Sequence, residues 1–404
     1  MAAPPSTRRR RSEREVIAYL AYAGILLAFG IDSALPAFDE LRPAFGLEPD
    51  SNRITLLITW YFLGMALGQL VYGPVSDRFG RVPALRVGIG VYCLGAIGGI
   101  LAPNLELLFV SRFVWGLGAA APGVLRAAIA RDLYEGNQMA RVMSIMMAFF
   151  LMGPILAPIA GEGILAVGNW QWVFATSLIL AAVLFAWSVR FGETLAPENV
   201  QSLDIRRVAA GFRAVFTNRI TFAHAMALVF AFGGFTVYLG SSQPIIDVIY
   251  DRGDQFALWF AVAGVAMAIG FFTVNRFIER HGARNVAMFC AVTVVVLAGI
   301  FLLISLQADG VPSFWLWLSF IGTVNVFSVL LTPTCYSLGL EPMGELAGTA
   351  SAVMGFMSTA AGAGLAAIID AQIDMTVTPM AVGYVGYGLL TIVFLRLGRA
   401  PQGE

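Results

Sequence analysis

The stretch Gly73-Pro-Val-Ser-Asp-Arg-Phe-Gly-Arg81 decides how this chain is organised, because a degenerate copy of it occurs further along. The copy reads Asn275-Arg-Phe-Ile-Glu-Arg-His-Gly-Ala-Arg284. Asp77 in the first stretch corresponds to Glu279 in the second, 202 residues later (279 − 77), and the arginine and glycine that follow keep the same displacement. The sequence therefore contains an internal repeat, and each half carries one short charged loop of this kind.

Long apolar segments surround both charged loops. Of the 404 residues, 58% are hydrophobic and 12% are charged, and the mean hydropathy is +0.79, whereas a soluble domain carries roughly a quarter charged residues. A spanning helix needs about 20 apolar residues, and backbone in lipid must hydrogen-bond to itself. The pattern predicts an all-α membrane protein with twelve transmembrane helices. They are expected at about Val16–Phe38, Ile54–Tyr72, Ala84–Ala102, Leu105–Ala130, Met139–Leu165, Trp170–Val189, Ile220–Ile246, Phe256–Phe277, Val286–Leu306, Phe314–Tyr336, Leu346–Ile369 and Pro379–Leu397.

The distribution of arginine predicts the orientation of these helices. All 25 basic residues are arginine. If the N-terminus lies inside, 20 arginines fall in the inner segments and only Arg42, Arg53 and Arg252 fall outside. Positive charge is enriched in cytoplasmic loops, and an even number of spans places both termini on one side. We therefore expect both termini in the cytoplasm.

Six spans separate the two charged loops, so both halves cross the membrane in the same direction. Parallel repeats of this kind enclose a cleft near the middle of the bilayer. Apolar residues at helical spacing in the linker between the halves favour an amphipathic helix on the inner leaflet, with a solvated linker as the alternative. The expected organisation is an N-terminal tail (1–15), a six-helix bundle (16–190), a linker (191–219), a second six-helix bundle (220–397) and a C-terminal tail (398–404).

Two motifs in the first half resemble those of a known family. The loop Gly73–Arg81 resembles the signature between spans two and three of the major facilitator superfamily. Span four carries Arg112-x-x-x-Gly116-x-Gly118, which resembles a second motif of that family with Trp115 in place of the usual glutamine. The resemblance implies the major facilitator fold of two six-helix bundles.

Further motifs indicate a branch of the family. Span five carries Gly153-Pro154-x-x-Ala157-Pro158-x-x-Gly161, which is similar to the antiporter motif except that Ala157-Pro158 replaces paired glycines. Shorter matches are Asp32-x-x-Leu35-Pro36-Ala37, Arg126-Ala-Ala-Ile-Ala-Arg131-Asp132 and Ala347-Gly-Thr-Ala-Ser351. Together they resemble the Bcr/CflA branch, the bicyclomycin and chloramphenicol resistance proteins among twelve-span drug:proton antiporters. That resemblance implies export of small molecules in exchange for protons.

The residue types in the two charged loops are suited to holding the two halves together on the cytoplasmic side, and we call these loops latches. Glycine allows a close approach and a tight turn, an acid can accept bonds from helix N-terminal amides, and arginine can anchor to carboxylates or lipid phosphates. We assign the first latch to Gly73, Asp77, Arg78, Gly80, Arg81 and the acid partner Asp132. The second-half latch comprises Glu279, Arg280, Gly282 and Arg284.

Two ionisable residues at membrane depth are candidates for proton coupling, because burying such groups in a membrane is costly. Asp32 in span one and Arg112 in span four fall at similar depth in the outer half of the bilayer. We expect Asp32 to alternate between protonated and ionised forms while Arg112 stabilises or competes for the ionised form. A structural ion pair that never titrates is the alternative. By contrast, Glu162, Asp370 and Asp374 are expected at the outer rim, and Arg126 is expected to reach water by snorkelling.

Residue type and depth in the membrane suggest which side chains contact substrate and which bend a helix. Aromatic rings bind many shapes through contact area, and amides add polarity. The expected substrate contacts are Tyr61, Phe235, Tyr238, Gln243 and Asn325. Proline removes a helical hydrogen bond, so Gly153, Pro154 and Pro158 are expected to bend span five.

The sequence favours a proton-driven exporter of drug-like, amphipathic molecules in a bacterial inner membrane. It carries no nucleotide loop, metal-ligand cluster or nucleophile–base pair, so we expect no enzyme activity, cofactor or bound metal. A net charge of zero gives no reason to expect nucleic acid as a partner. The expected partners are protons, small organic substrates and lipid, and the protein is expected to be a monomer. The alternatives are a transporter of one metabolite, such as a sugar, amino acid or siderophore, and a membrane sensor that transports nothing.

Overall fold

The computed structural model describes residues 12–202 and 205–399, and within these ranges it contains helices and no β-strand. The tails at 1–11 and 400–404, and linker residues 203–204, lie outside the described residues. The α-helices of the described chain are α1 (Glu13–Asp32), α2 (Phe38–Ala44), α3 (Leu56–Phe79), α4 (Arg81–Ile100), α5 (Leu105–Leu133), α6 (Gly136–Leu151), α7 (Gly153–Leu165), α8 (Trp170–Phe191), α9 (Ile205–Thr217), α10 (Arg219–Pro244), α11 (Phe256–His281), α12 (Ala283–Gln307), α13 (Phe314–Leu340), α14 (Ala347–Asp370) and α15 (Thr378–Leu397).

Twelve segments of the described chain are long and apolar enough to cross a membrane, which confirms the predicted number. The fifth span consists of two helices, α6 and α7, whereas each of the others is built on one long α-helix. The first span ends at Asp32 rather than at Phe38. The reason is local: Pro36 disfavours helical backbone at the residue before it, and the chain turns there before α2 begins.

Glycine lets the central helix of the first half approach its neighbours very closely. A Cβ added at Gly116 on α5 would overlap the backbone carbonyl of Tyr61 on α3, and one added at Gly118 would overlap the backbone of Tyr92 on α4. The motif around Gly116 is therefore a packing motif, in which the missing side chains allow three helices to meet backbone to backbone. Small residues play this role widely between membrane helices.

Replacing Gly116 with alanine should lower the free energy of unfolding by about 1–3 kcal/mol or more, because the added methyl group must push α3 and α5 apart. The measurement is the thermal unfolding midpoint of the purified protein in detergent. Gly90→Ala is the matched control, since a Cβ at Gly90 meets no atom within 4 Å. Equal midpoints for the two variants would show that the α3–α5 contact is not tight.

Proline and glycine divide the fifth span. α6 ends at Leu151 and α7 begins at Gly153, directly before Pro154, which cannot donate a helical hydrogen bond. A Cβ at Gly153 would overlap the side chain of Ala28 on α1. The break therefore lies where α7 packs most closely against the first span.

The linker helix α9 packs against the second half of the chain. Val215 is fully buried, and the ring of Phe212 meets that of Phe356 on α14 edge to face, with centroids 5.9 Å apart. Phe216 stays 56% exposed. Part of the apolar face of α9 is thus covered by α10 and α14, and the position of this helix on the inner leaflet stays a prediction. The side chains of Ile205 and Arg207 lie outside the described residues.

Candidate functional site

The two halves touch on one side of the bundle and separate on the other. We call the side where α1 begins and α15 ends the terminal side, and the far side the opposite side. The halves consist of α1–α8 and α10–α15, and their described polar contacts with each other lie mainly on the opposite side. This arrangement is that of a bundle open towards the terminal side.

A charged cluster joins the halves on the opposite side. Arg42, which follows the first span, is 1% exposed and donates hydrogen bonds to Asp39 at 2.7 Å and to Gln243 of α10 at 3.1 Å. Gln243 in turn donates to Asp39 at 2.8 Å, and Asp247 lies 3.7 Å from the Arg42 guanidinium. We call Asp39, Arg42, Gln243 and Asp247 the opposite-side cluster. One buried arginine thus holds three partners from both halves.

Two further contacts close the same side. The side-chain amide of Asn52 donates to the carbonyl oxygen of Ile373, after α14. Glu162 at the end of α7 accepts a hydrogen bond of 2.7 Å from the backbone amide of Ala257 on α11. Glu162 was expected to be a rim residue, but it is half-buried and connects the halves.

A cavity of about 980 Å³ lies between the halves on the terminal side. Its described lining comes from α1, α3, the start of α4, α5 and the linker on one wall, and from α13 and α14 on the other. The charged residues of its lining are Asp77, Arg81, Arg126, Arg131 and Asp132. We call this space the terminal-side cavity, and its volume suits a drug-sized molecule.

A buried polar group lies on the first half above this cavity. Asp32, the last residue of α1, is 3% exposed, and one of its carboxylate oxygens has no hydrogen-bond partner among the described residues. The Arg112 guanidinium is fully buried and donates to the carbonyl oxygen of Gly30 at 3.0 Å, while lying 4.5 Å from the Tyr61 ring centroid. The hydroxyls of Tyr61 and Tyr92 both reach the α1 backbone at Gly30.

Asp32 and Arg112 interact electrostatically, but no ion pair joins them in this conformation. The role of the two residues in proton coupling stays a prediction, as does the alternative of a structural pair that never titrates. Asp32 also interacts electrostatically with Tyr238 on α10 of the second half. The charge of this carboxyl group therefore acts on a residue of the second half.

The expected substrate contacts do not line the terminal-side cavity. Tyr61 belongs to the buried group around Arg112, and Gln243 belongs to the opposite-side cluster. Asn325 is fully buried and accepts a hydrogen bond of 3.0 Å from Tyr384. Tyr238 is buried against Phe260, with ring centroids 4.9 Å apart, and Phe235 is half-buried beside Tyr238. The sequence indicates the depth of these residues in the membrane, but the direction in which each side chain points depends on how the helices pack.

The first charged loop ties the first half together instead of joining the two halves. Arg81 donates to Asp132 at 3.0 Å and also pairs with Asp77. Its backbone amide donates to Glu193, just after α8, at 3.0 Å. In this conformation the halves stand apart on the terminal side, and Arg81 finds its acids within its own half. A latch between the halves stays a prediction for the state in which that side closes. Arg78 is exposed.

The glycines and the second loop also differ from expectation. Gly80 has φ of +100° and Gly282 has φ of +80°, so both tight turns require glycine. Gly73, however, lines the cavity and makes no close helix contact, since a Cβ there meets no atom within 4 Å. The charged side chains of the second-half loop are exposed and form no hydrogen bond or ion pair with described residues. They are Glu279, Arg280 and Arg284.

Two charged residues lie differently from their expected positions. Asp370, expected at the rim, is 2% exposed and accepts a hydrogen bond from Ser241 of α10. Arg126, expected to snorkel, instead turns towards α1, where its Nη1 is buried beside Gly24. Both residues lie near the ends of apolar segments of the sequence. Their position in those segments does not indicate that other helices cover them.

Twelve spans in two halves, with a cavity between them that opens on one side, define a membrane transporter. The model of the Major Facilitator Superfamily matches residues 20–367. The chain belongs to the major facilitator superfamily.

Known relatives agree with the branch suggested by the motifs. The chain is 29% identical over 365 residues to a bicyclomycin resistance protein homolog of Haemophilus influenzae, covering 89% of this chain and 90% of the relative. It is 26% identical to multidrug resistance protein D of Escherichia coli, covering 85% and 84%. Among solved structures, a D-xylose–proton symporter superposes with a TM-score of 0.73 at 16% identity, covering 95% and 97%, which supports the fold alone. The resemblance to the drug:proton antiporters of this family is confirmed.

Proposed function

We propose that this protein exports small, amphipathic organic molecules in exchange for protons, by alternating access, across a bacterial inner membrane with both termini in the cytoplasm. The observation that carries the proposal is Asp32, a buried carboxyl group with one oxygen that has no hydrogen-bond partner among the described residues. It interacts electrostatically with Arg112 of its own half and with Tyr238 of the second half. Relatives named as resistance proteins support the export of drug-like molecules.

The proposed cycle uses the two sides of the bundle in turn. In the conformation described here the terminal-side cavity admits substrate from the cytoplasm, and the opposite-side cluster keeps the far side closed. Substrate binding favours loss of the proton from Asp32, and the ionised carboxylate is then stabilised by nearby Arg112. The halves rock, the substrate leaves on the opposite side, and a proton from that side returns Asp32 to its neutral form. One proton thus moves inwards as one substrate moves outwards.

The proposal predicts that substrates will collapse an imposed pH gradient. Everted membrane vesicles containing the protein, with an acidic interior, should lose the gradient on addition of several unrelated amphipathic compounds. A pH-sensitive dye inside the vesicles measures the response, and vesicles without the protein are the control. A response to a single compound would instead indicate a transporter of one metabolite. If no compound in a broad panel changed the pH gradient, the transport proposal would be wrong and a membrane sensor would be favoured.

A further inference from the structure

The charges of the terminal-side cavity do not balance. Of the five charged residues in its described lining, the two acids Asp77 and Asp132 are both engaged by Arg81. Arg131 is exposed at the mouth of the cavity, where water solvates it. Arg126 alone remains, without an acid partner among the described residues.

Arg126 is half-buried and lines the terminal-side cavity. It lies seven residues before the end of α5 (133 − 126), about 10 Å from that end at 1.5 Å per residue. Its Nη1 is buried and makes no hydrogen bond with the described residues. A Cβ at Gly24 would lie 2.5 Å from this nitrogen, so glycine at that position leaves the space that the guanidinium occupies. The Phe150 ring supports the group from one side, with 4.7 Å between the guanidinium carbon and the ring centroid.

An arginine in this position needs an anion or water. A charged side chain at membrane depth is costly and normally faces a partner or an aqueous cavity. The ring of Phe150 supplies only a weak cation–π attraction. An anionic group that entered the terminal-side cavity would find an uncompensated guanidinium, the side chain best suited to pair with a carboxylate.

The surroundings of Arg126 add an apolar body to this anion site. Leu27, Met65 and Val124 line the same cavity, and Tyr336 and Gln69 bring an aromatic ring and an amide from opposite halves. A ligand that pairs with Arg126 and also packs against these side chains carries one negative charge on a largely apolar skeleton.

We propose that the terminal-side cavity selects amphipathic organic acids, and that Arg126 binds their carboxylate. The inference rests on the proposed function in one respect, namely that substrate enters through the terminal-side cavity. It does not depend on proton coupling. An anionic lipid headgroup offers similar chemistry, so the test must separate a soluble acid from a lipid.

The test measures binding to the purified full-length protein in nanodiscs of phosphatidylcholine, with no pH gradient. The probes are 1-pyrenebutyrate and its neutral amide, followed by pyrene fluorescence. The carboxylate should bind at least about tenfold more tightly than the amide, the ratio expected from one charge-assisted hydrogen bond. Arg126→Gln should remove that preference while leaving amide binding unchanged, which also shows that the variant is folded. Arg126→Lys should keep a part of the preference.

Arg131→Gln is the matched control, because it removes a cavity arginine from the same helix but at an exposed position. It should change neither affinity by more than about twofold, as expected for a solvated charge. Equal binding of the two probes by the wild type, or an intact preference in Arg126→Gln, would overturn the proposal. Adding phosphatidylglycerol to the nanodiscs should leave the preference in place; its disappearance would assign Arg126 to lipid instead. If substrates did not collapse the pH gradient in vesicles, the binding results in nanodiscs would still hold. The two proposals can therefore be refuted independently.

Discussion

Asp32→Asn should reduce gradient-driven export to the level of vesicles that lack the protein, while folding and substrate binding persist. Asparagine has nearly the same shape as a protonated aspartate, so it fits the buried position at the end of α1. It cannot carry a proton, however, and the cycle then has no way to couple substrate movement to the gradient. The measurement is uphill transport of a responsive compound in everted vesicles, together with equilibrium binding to the purified variant.

The control for Asp32→Asn is Asp374→Asn, which removes a carboxylate on the opposite side from an exposed position. It should export at the wild-type rate. Downhill exchange of labelled for unlabelled substrate adds a second readout, because a carrier fixed in its neutral form can still exchange substrate without moving protons. Undiminished uphill export by Asp32→Asn would remove this residue from the mechanism, whereas lost binding would make it a substrate contact.

The number of spans was predictable because the length of each apolar segment is set by the thickness of the hydrocarbon core. About 20 apolar residues are needed to cross it, and breaks such as Gly80 and Gly282, both with positive φ, are local in sequence. The end of the first span was misplaced for an equally local reason. The apolar run continues through Leu35 to Phe38, so hydropathy did not register the turn at Pro36 that ends α1 at Asp32.

The site was only partly predictable, because depth along a helix is local information and the direction of a side chain is not. Depth identified Asp32 and Arg112, and both are buried on the first half. Gln243 has a similar depth, but it faces Arg42, a residue 201 positions away in sequence. Likewise Arg126 has neighbours on α1 and α6 that leave its Nη1 covered. Such pairings depend on how the helices pack, which one sequence does not specify.

The opposite-side cluster is one of the contacts that hold the opposite side closed in this conformation. Arg42 itself is buried, but the side chains of Asp39 and Asp247 are 48% and 27% exposed. Breaking a fully buried pair costs about 3–5 kcal/mol, and solvent screening reduces that cost for partly exposed acids. We therefore expect this cluster to favour the closed opposite side by about 1–2 kcal/mol.

Arg42→Gln should thus shift the conformational equilibrium about five- to thirtyfold towards the state that opens on the opposite side. The missing charge leaves Asp39 and Asp247 to repel each other across the junction of the halves, and water entering from the opposite side solvates them. Spin labels on Glu135→Cys and Glu341→Cys report the terminal side, and labels on Glu48→Cys and Asp254→Cys report the opposite side, in a background without native cysteine. All four positions are exposed.

In Arg42→Gln the terminal-side distance should shorten and the opposite-side distance should lengthen in the same sample. Arg53→Gln is the control, because Arg53 also lies on the opposite side but forms an exposed 3.8 Å ion pair with Glu106, within one half. Exposed pairs contribute little, so its distance distributions should match those of the wild type. Unchanged distributions in Arg42→Gln would mean that helix packing, rather than this charge, closes the opposite side. A shift would show that the Arg42 guanidinium stabilises the closed opposite side, and that the moving halves must release its contacts in each cycle.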